Sequence, residues 1–260
     1  FPRLDKWMDG GMDPGTETVF MAPPKFGKST VLVNIGYANL LRGKTVIHFT
    51  LEINELKIMW RYGKRISWMA TRDVRKDPRE FRSKIKKFYG LHKGELFVKG
   101  YPPKAATVEV LKSYVYWLVN RKQIKPDLII VDYGDLLRSH NIKDRNADSE
   151  RLIQGDVFES LRAMGQEFDC TLVTASQCNR AAASKPIIHM EDIAESYQKC
   201  MIADHIIAIC GTEEERKKKR LRLFFAGSRE AETGRTLRVE FDWDRSRMSQ
   251  VKKEEGHESS

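Results

Sequence analysis

A chain of 260 residues is long enough for one large α/β domain and short for two, and 41% hydrophobic with 10% aromatic residues can fill a packed core. No apolar run approaches the roughly 20 residues that cross a bilayer, and the four cysteines show no C-x-x-C spacing, so a spanning helix, a zinc knuckle and a disulfide scaffold are excluded. A formal charge of +10 and a pI near 9.4 favour polyanionic partners through phosphate contacts and counterion release, and reduced thiols in a soluble, cytoplasmic chain are expected.

Apolar, β-rich runs at residues 18–22, 45–51, 95–98, 128–131 and 171–174 read as strands, each followed by a loop or an amphipathic stretch, the first by a helical run at 31–41. Near-continuous apolar strands are those buried on both sides, so this alternation predicts a mainly parallel twisted sheet with helices on both faces. Segment 67–89 is dense in Lys and Arg, with Trp68, Phe81 and Phe88 at roughly helical spacing, and reads as a helix pair burying its aromatics. After residue 204 the runs 205–210, 221–226 and 236–241 follow one another without an intervening helix, which predicts an antiparallel C-terminal extension of the sheet. The acidic-to-basic segment 213–222 reads as a solvated hairpin loop. The polar residues 249–260 read as a disordered tail after a single domain of residues 1–248. The chain opens at Phe1 without a methionine, which predicts a piece of a longer protein.

The strongest local signal is A-P-P-K-F-G-K-S-T, formed by Ala22, Pro23, Pro24, Lys25, Phe26, Gly27, Lys28, Ser29 and Thr30, where a strand ends and a helix begins. A phosphate-binding loop needs backbone N–H groups converging at a helix N-terminus, a lysine for the β- and γ-oxygens, and a hydroxyl for magnesium. Gly27, Lys28 and Ser29 meet those demands, although Ala22 stands where the usual G-x-x-x-x-G-K-[ST] pattern has glycine. In L-I-I-V-D-Y-G-D, Asp132 sits at the C-terminal end of a strand, where a carboxylate can hold magnesium through water; an ordinary Asp turn has the same appearance. Glu52 in F-T-L-E can polarise the attacking water or simply start a helix, and Gln177 in T-L-V-T-A-S-Q can touch a γ-phosphate or simply end a strand.

Together these segments resemble the RecA-like C-terminal ATPase domain of DnaB-type replicative helicases, including those encoded by phages. The opening F-P-R-L-D-K-W-M-D-G-G-M resembles that family's lead-in to its first strand, and its phosphate loop also begins with alanine. F-T-L-E resembles the segment with the catalytic glutamate, V-D-Y the Walker B motif, and A-S-Q-C-N-R the S-Q-x-N-R sensor motif. D-I-A-E-S followed by I-A-D-H-I-I is similar to the family's single-strand DNA contact segment, with Ala194 and Tyr197 where arginine and glycine are usual. G-S-R-E-A-E-T-G resembles K-x-R-N-G-P-T-G, which makes Arg229 the arginine finger and leaves Gly227 in place of a lysine; by its residues alone Arg229 reads as a solvated turn arginine.

The resemblance implies a RecA-like P-loop fold, ATP and Mg2+ as cofactors, and catalytic roles for Lys28, Glu52, Gln177 and Arg229, with Ser29 and Asp132 at the metal. It also implies a homo-oligomeric ring, by family a hexamer, moving 5′ to 3′ on single-stranded DNA, with a primase or helicase loader as further partner. DNA is expected at Glu195 and Ser196 and at the long basic loops after the Walker B and sensor strands, through Arg138, Lys143, Arg145, Arg180 and Lys185. A second reading is an ATP-dependent assembly or regulatory switch on the same fold, KaiC-like or RadA-like, which binds partners without unwinding; the departures at Ala194, Tyr197 and Gly227 motivate it.

Overall fold

The structure, a computed structural model, describes residues 1–142, 147–178, 182, 185–189 and 197–251. These form one sheet from β1 (Glu17–Ala22), β2 (Val46–Thr50), β3 (Leu96–Gly100), β4 (Leu128–Asp132), β5 (Thr171–Gln177), β6 (His205–Cys210), β7 (Arg220–Ser228), β8 (Thr236–Asp242) and β9 (Arg247–Gln250). The spatial order is β3-β2-β4-β5-β1-β6-β7-β8-β9, parallel from β3 to β6 and antiparallel from there on.

Every residue of β1, β2, β4 and β6 is buried, which is why their sequences do not alternate. Side chains still point alternately to the two faces. Val19 and Met21 join Ile129, Val131 and the helices α6 (Val108–Lys122) and α7 (Ala147–Glu167) in one core. Phe20 and Ala22 join Ile130, Val173 and the helices α2 (Lys28–Leu41) and α3 (Glu55–Ser67) in the other. Fully buried side chains such as Phe20, Leu32 and Phe158 each contribute about 1.5–3 kcal/mol by leaving water. β8 alternates exposed and buried residues, as a strand with one wet face should.

Around this core lie α1 (Pro2–Trp7), α4 (Thr71–Lys76), α5 (Pro78–Leu91), α8 (Tyr197–Ile202) and α9 (Glu213–Lys217). Three sequence expectations are corrected. Segment 213–222 is not a loop throughout: α9 forms because Thr212 Oγ1 accepts from Glu215 N at 3.3 Å while Glu215 Oε2 accepts from Thr212 N at 2.8 Å, a closed capping box. Its acidic start and basic end then match the helix dipole. Residues 249 and 250 are not tail but the end of β9, paired with β8. Trp68 is not buried with Phe88: it ends α3 in a left-handed conformation, 50% exposed, with the Arg247 guanidinium 4.4 Å above its ring. Among the described residues no helix is long and apolar enough to cross a membrane, and Cys170, Cys178 and Cys210 are buried thiols.

Candidate nucleotide site

The turn from β1 into α2 is shaped by conformation. Gly27 is the N-cap residue of α2 in the left-handed region at φ 88, and Val31 N donates to its carbonyl at 2.9 Å. A Cβ there would lie 3.0 Å from the ring of Trp243, so both backbone and space require glycine. Pro23 and Phe26 are buried, Pro24 and Lys25 exposed, and Thr30 is buried in the first turn of α2. The Arg216 guanidinium lies 4.6 Å over the Phe26 ring and so closes the loop from the α9 side.

Lys28 is buried, with Nζ 3.4 Å from the Ala22 carbonyl and 5.3 Å from the Tyr133 ring centroid. Burial pushes its ammonium below the ordinary range, and the nearby carboxylates of Glu52, Asp135 and Asp132 pull the other way. The register places these groups together: Thr50, two residues before Glu52, is opposite Asp132, and Ala22 is opposite Gln177. Glu52 and Gln177 are exposed at this edge, available to a ligand.

Asp132 has no exposed surface, and neither carboxylate oxygen has a partner at hydrogen-bonding geometry. Burial raises it to about 6, while the Ser29 hydroxyl, close enough to favour the ionised form, and Arg61 oppose the rise. A buried, unpartnered carboxylate is costly unless something cationic completes it. No group of three or more His, Cys, Asp or Glu forms a metal site among the described residues. A single carboxylate and a hydroxyl at a phosphate loop therefore fit an ion that keeps water and phosphate oxygens as its remaining ligands, as Mg2+ does.

Three residues not singled out from sequence belong to this edge. Asp135 accepts from Gln177 N at 2.8 Å and from Ser176 Oγ at 3.1 Å, and pairs with Lys199 Nζ at 2.5 Å. Trp243 follows β8 and lies against Gly27, half exposed. Asp135 is visible in V-D-Y-G-D, but Lys199 and Trp243 carry no local pattern.

Arg229 is elsewhere. Ser228 pairs with His205, the first residue of β6, and β6 runs parallel to β1, so Arg229 lies at the edge where β1 begins. With six residues in β1, it is separated from its own phosphate loop by about 20 Å of strand. It is bound there by donating to the carbonyls of Met201 at 2.7 Å and Ile202 at 3.1 Å. Of the expected DNA contacts, Arg138 and Lys185 are exposed, and Lys143, Arg145, Arg180, Glu195 and Ser196 fall outside the described residues. A cavity of about 570 Å³ between α1, α2 and β9 lies near the strand starts Leu128 and Thr171, away from the loop.

Residues 1–250 match the family model of the DnaB-like helicase C terminal domain. The chain is 30% identical over 215 residues to a DnaB-like replicative helicase of Enterobacteria phage T4, covering 81% of this chain and 45% of the relative. It is 28% identical over 195 residues to the replicative DNA helicase DnaB of Pasteurella multocida (strain Pm70), covering 71% and 39%. It thus spans less than half the length of these curated relatives. Its fold matches a solved ATPase domain with a TM-score of 0.81 at 19% identity, covering 97% of this chain and 90% of that one. It also matches a DnaB-like replicative helicase, solved with its interactions with primase, with a TM-score of 0.80 at 18% identity over 97% and 61%. The RecA-like fold expected from sequence is therefore borne out, and the helicase family is favoured over the switch proteins.

Proposed function

Because the chain belongs to the family of DnaB-like helicase C-terminal domains, we propose that it is an ATP-hydrolysing motor domain that moves 5′ to 3′ on single-stranded DNA as a ring with ATP sites shared between subunits. The observation that carries this reading is the placement of Lys28 and Arg229 on opposite edges of one sheet. A finger arginine so placed can serve only a neighbour's site, and head-to-tail contacts of that kind close into rings. The number of subunits, six by resemblance, is part of the proposal.

In each site the N–H groups at the start of α2 and the Lys28 ammonium bind the ATP phosphates. Ser29 and Asp132 would hold Mg2+, which supplies positive charge to the β- and γ-phosphate oxygens. Glu52 orients the attacking water, and Gln177 contacts the γ-phosphate. The neighbour's Arg229 stabilises the charge that develops in transfer, an effect of about a thousandfold or more. Trp243, against the loop and half exposed, would stack on the base. Arg138 and Lys185, with the charged residues of the same loops, would track the DNA backbone, and a primase or loader would bind the assembled ring.

The test is ATP turnover across protein concentration, with and without single-stranded DNA. Turnover per chain should rise with concentration and be stimulated by DNA, steeply weakened by salt. Turnover per chain that ignores both concentration and DNA would overturn the ring motor.

A further inference from the structure

Between the two edges of the sheet lies α8, six residues that touch both. At the phosphate edge, the Lys199 ammonium, 7% exposed, pairs with Asp135 at 2.5 Å, approaches Ser176 Oγ at 3.4 Å and lies 5.2 Å over the Phe158 ring. Asp135 in turn accepts from Ser176 and from the backbone N–H of Gln177. The carbonyl of Asp135 is also held, by Lys104 Nζ at 2.8 Å. The turn is thus held through its backbone, while the Asp135 carboxylate is shared between the Ser176–Gln177 strand end and the helix that carries Lys199.

At the other edge, the carbonyls of Met201 and Ile202 at the end of α8 accept from the Arg229 guanidinium. Asp204, just beyond α8, accepts two hydrogen bonds from Arg162 at 3.0 and 2.8 Å and one from Glu17 N at 2.9 Å. It lies 3.6 Å from Arg229 Nε, and its carbonyl accepts from Arg229 N at 3.1 Å. Arg229 therefore takes its position from the end of α8 and from Asp204. A buried ion pair is a poor source of net stability, because desolvation offsets most of the attraction. What Lys199–Asp135 does supply is a fixed link between a strand end facing the γ-phosphate and a helix end that holds the finger.

We propose that Lys199 is a positioning residue: by gripping Asp135 it ties the Ser176–Gln177 strand end to α8, so that nucleotide state in one site sets how Arg229 is offered to the next. This rests on the shared-site reading above. Contact of Gln177 with a γ-phosphate moves the group that Asp135 holds, and the movement reaches α8 through one charged contact. Coupling then has a physical carrier, two sites biasing one helix.

The experiment compares the native chain with Lys199→Met, Lys199→Arg and Asp135→Asn, with Arg229→Ala as control. Methionine keeps the aliphatic volume over Phe158 and removes the charge. ATP turnover gives kcat and KM, and hydrogen exchange of segments 197–204 and 226–232 is followed with and without adenylyl imidodiphosphate. The expected result for Lys199→Met is a five- to tenfold fall in kcat, KM within about twofold, and loss of the nucleotide-dependent change in exchange at 201–204. Lys199→Arg should restore both, and Asp135→Asn should match Lys199→Met, which covers the case in which one variant folds poorly. Native kcat in Lys199→Met, or a nucleotide-dependent exchange change that persists in it, overturns the proposal. If Arg229→Ala keeps full turnover, the shared site itself falls and this proposal with it; if Arg229→Ala is inactive while Lys199→Met is fully active, this proposal falls alone.

Discussion

Glu17 is completely buried at the start of β1, and neither of its carboxylate oxygens has a hydrogen-bond partner. Burial first, and the neighbouring Asp204 second, push its carboxyl well above the ordinary carboxylate range, against the pull of Arg162. The folded chain thus keeps a proton that the unfolded chain releases, and stability falls as pH rises above the ordinary range. Glu17→Gln keeps the shape and removes this linkage. Its urea midpoint at pH 8 should exceed that of the native chain, with the gap closing as pH falls below the ordinary carboxylate range; equal midpoints at pH 8 would contradict this account. Nothing in E-T-V-F-M-A marks Glu17 as unusual, because its neighbours, Leu172 on β5 and Asp204 before β6, follow far along the chain. Lys28, Ser29 and Asp132 were legible for the opposite reason: a phosphate loop is a local turn and a strand end is a local apolar run. Asp135 and Lys199 are 64 residues apart, and no local spacing could join them.

The elements follow the same rule of locality. Parallel strands buried on both faces announce themselves as apolar runs, so the strands from β1 to β6 and the antiparallel β7 and β8 stand close to where they were read. β9, with the sequence R-M-S-Q, has one apolar residue and becomes a strand through pairing with β8 and the burial of Met248. α9 has no buried residue and arises from its cap rather than from an apolar face. The contact of α2 with α3 depends on a gap that a sequence pattern does not display. A Cβ on Gly36 would lie 2.0 Å from Tyr62 Oη, whose ring is fully buried and whose hydroxyl lies 3.0 Å from His48 Nδ1. Gly36→Ala gains helix propensity of about 1 kcal/mol, but the clash must be relieved by moving Tyr62 from this contact, at about 1–3 kcal/mol plus the cost of leaving the buried Tyr62 hydroxyl and His48 ring without each other. The variant should melt several degrees below the native chain in a thermal scan, and an unchanged or raised Tm would show that α2 and α3 separate freely.

For the whole molecule, the separation of Lys28 from Arg229 makes a stringent prediction about mixtures. If each site takes its loop from one chain and its finger from the next, Lys28→Ala chains still offer an intact finger, and Arg229→Ala chains still offer an intact loop. Either variant alone should be inactive, because every junction lacks one component. Mixed at equal concentration and allowed to reassemble, chains distributed at random create intact junctions with a frequency of about one quarter, since each half of the junction is intact in half of the chains. ATP turnover should therefore rise above both parents towards about a quarter of the native rate. A chain carrying both substitutions is the control: with the Lys28→Ala chain it supplies no loop, with the Arg229→Ala chain it supplies no finger, and neither mixture should turn over ATP. Had Arg229 acted within its own chain, no mixture of two inactive variants could recover, because each site would be defective before assembly. Recovery in the first mixture and silence in the controls therefore distinguishes a site built by two chains from a site that one chain completes, without requiring DNA.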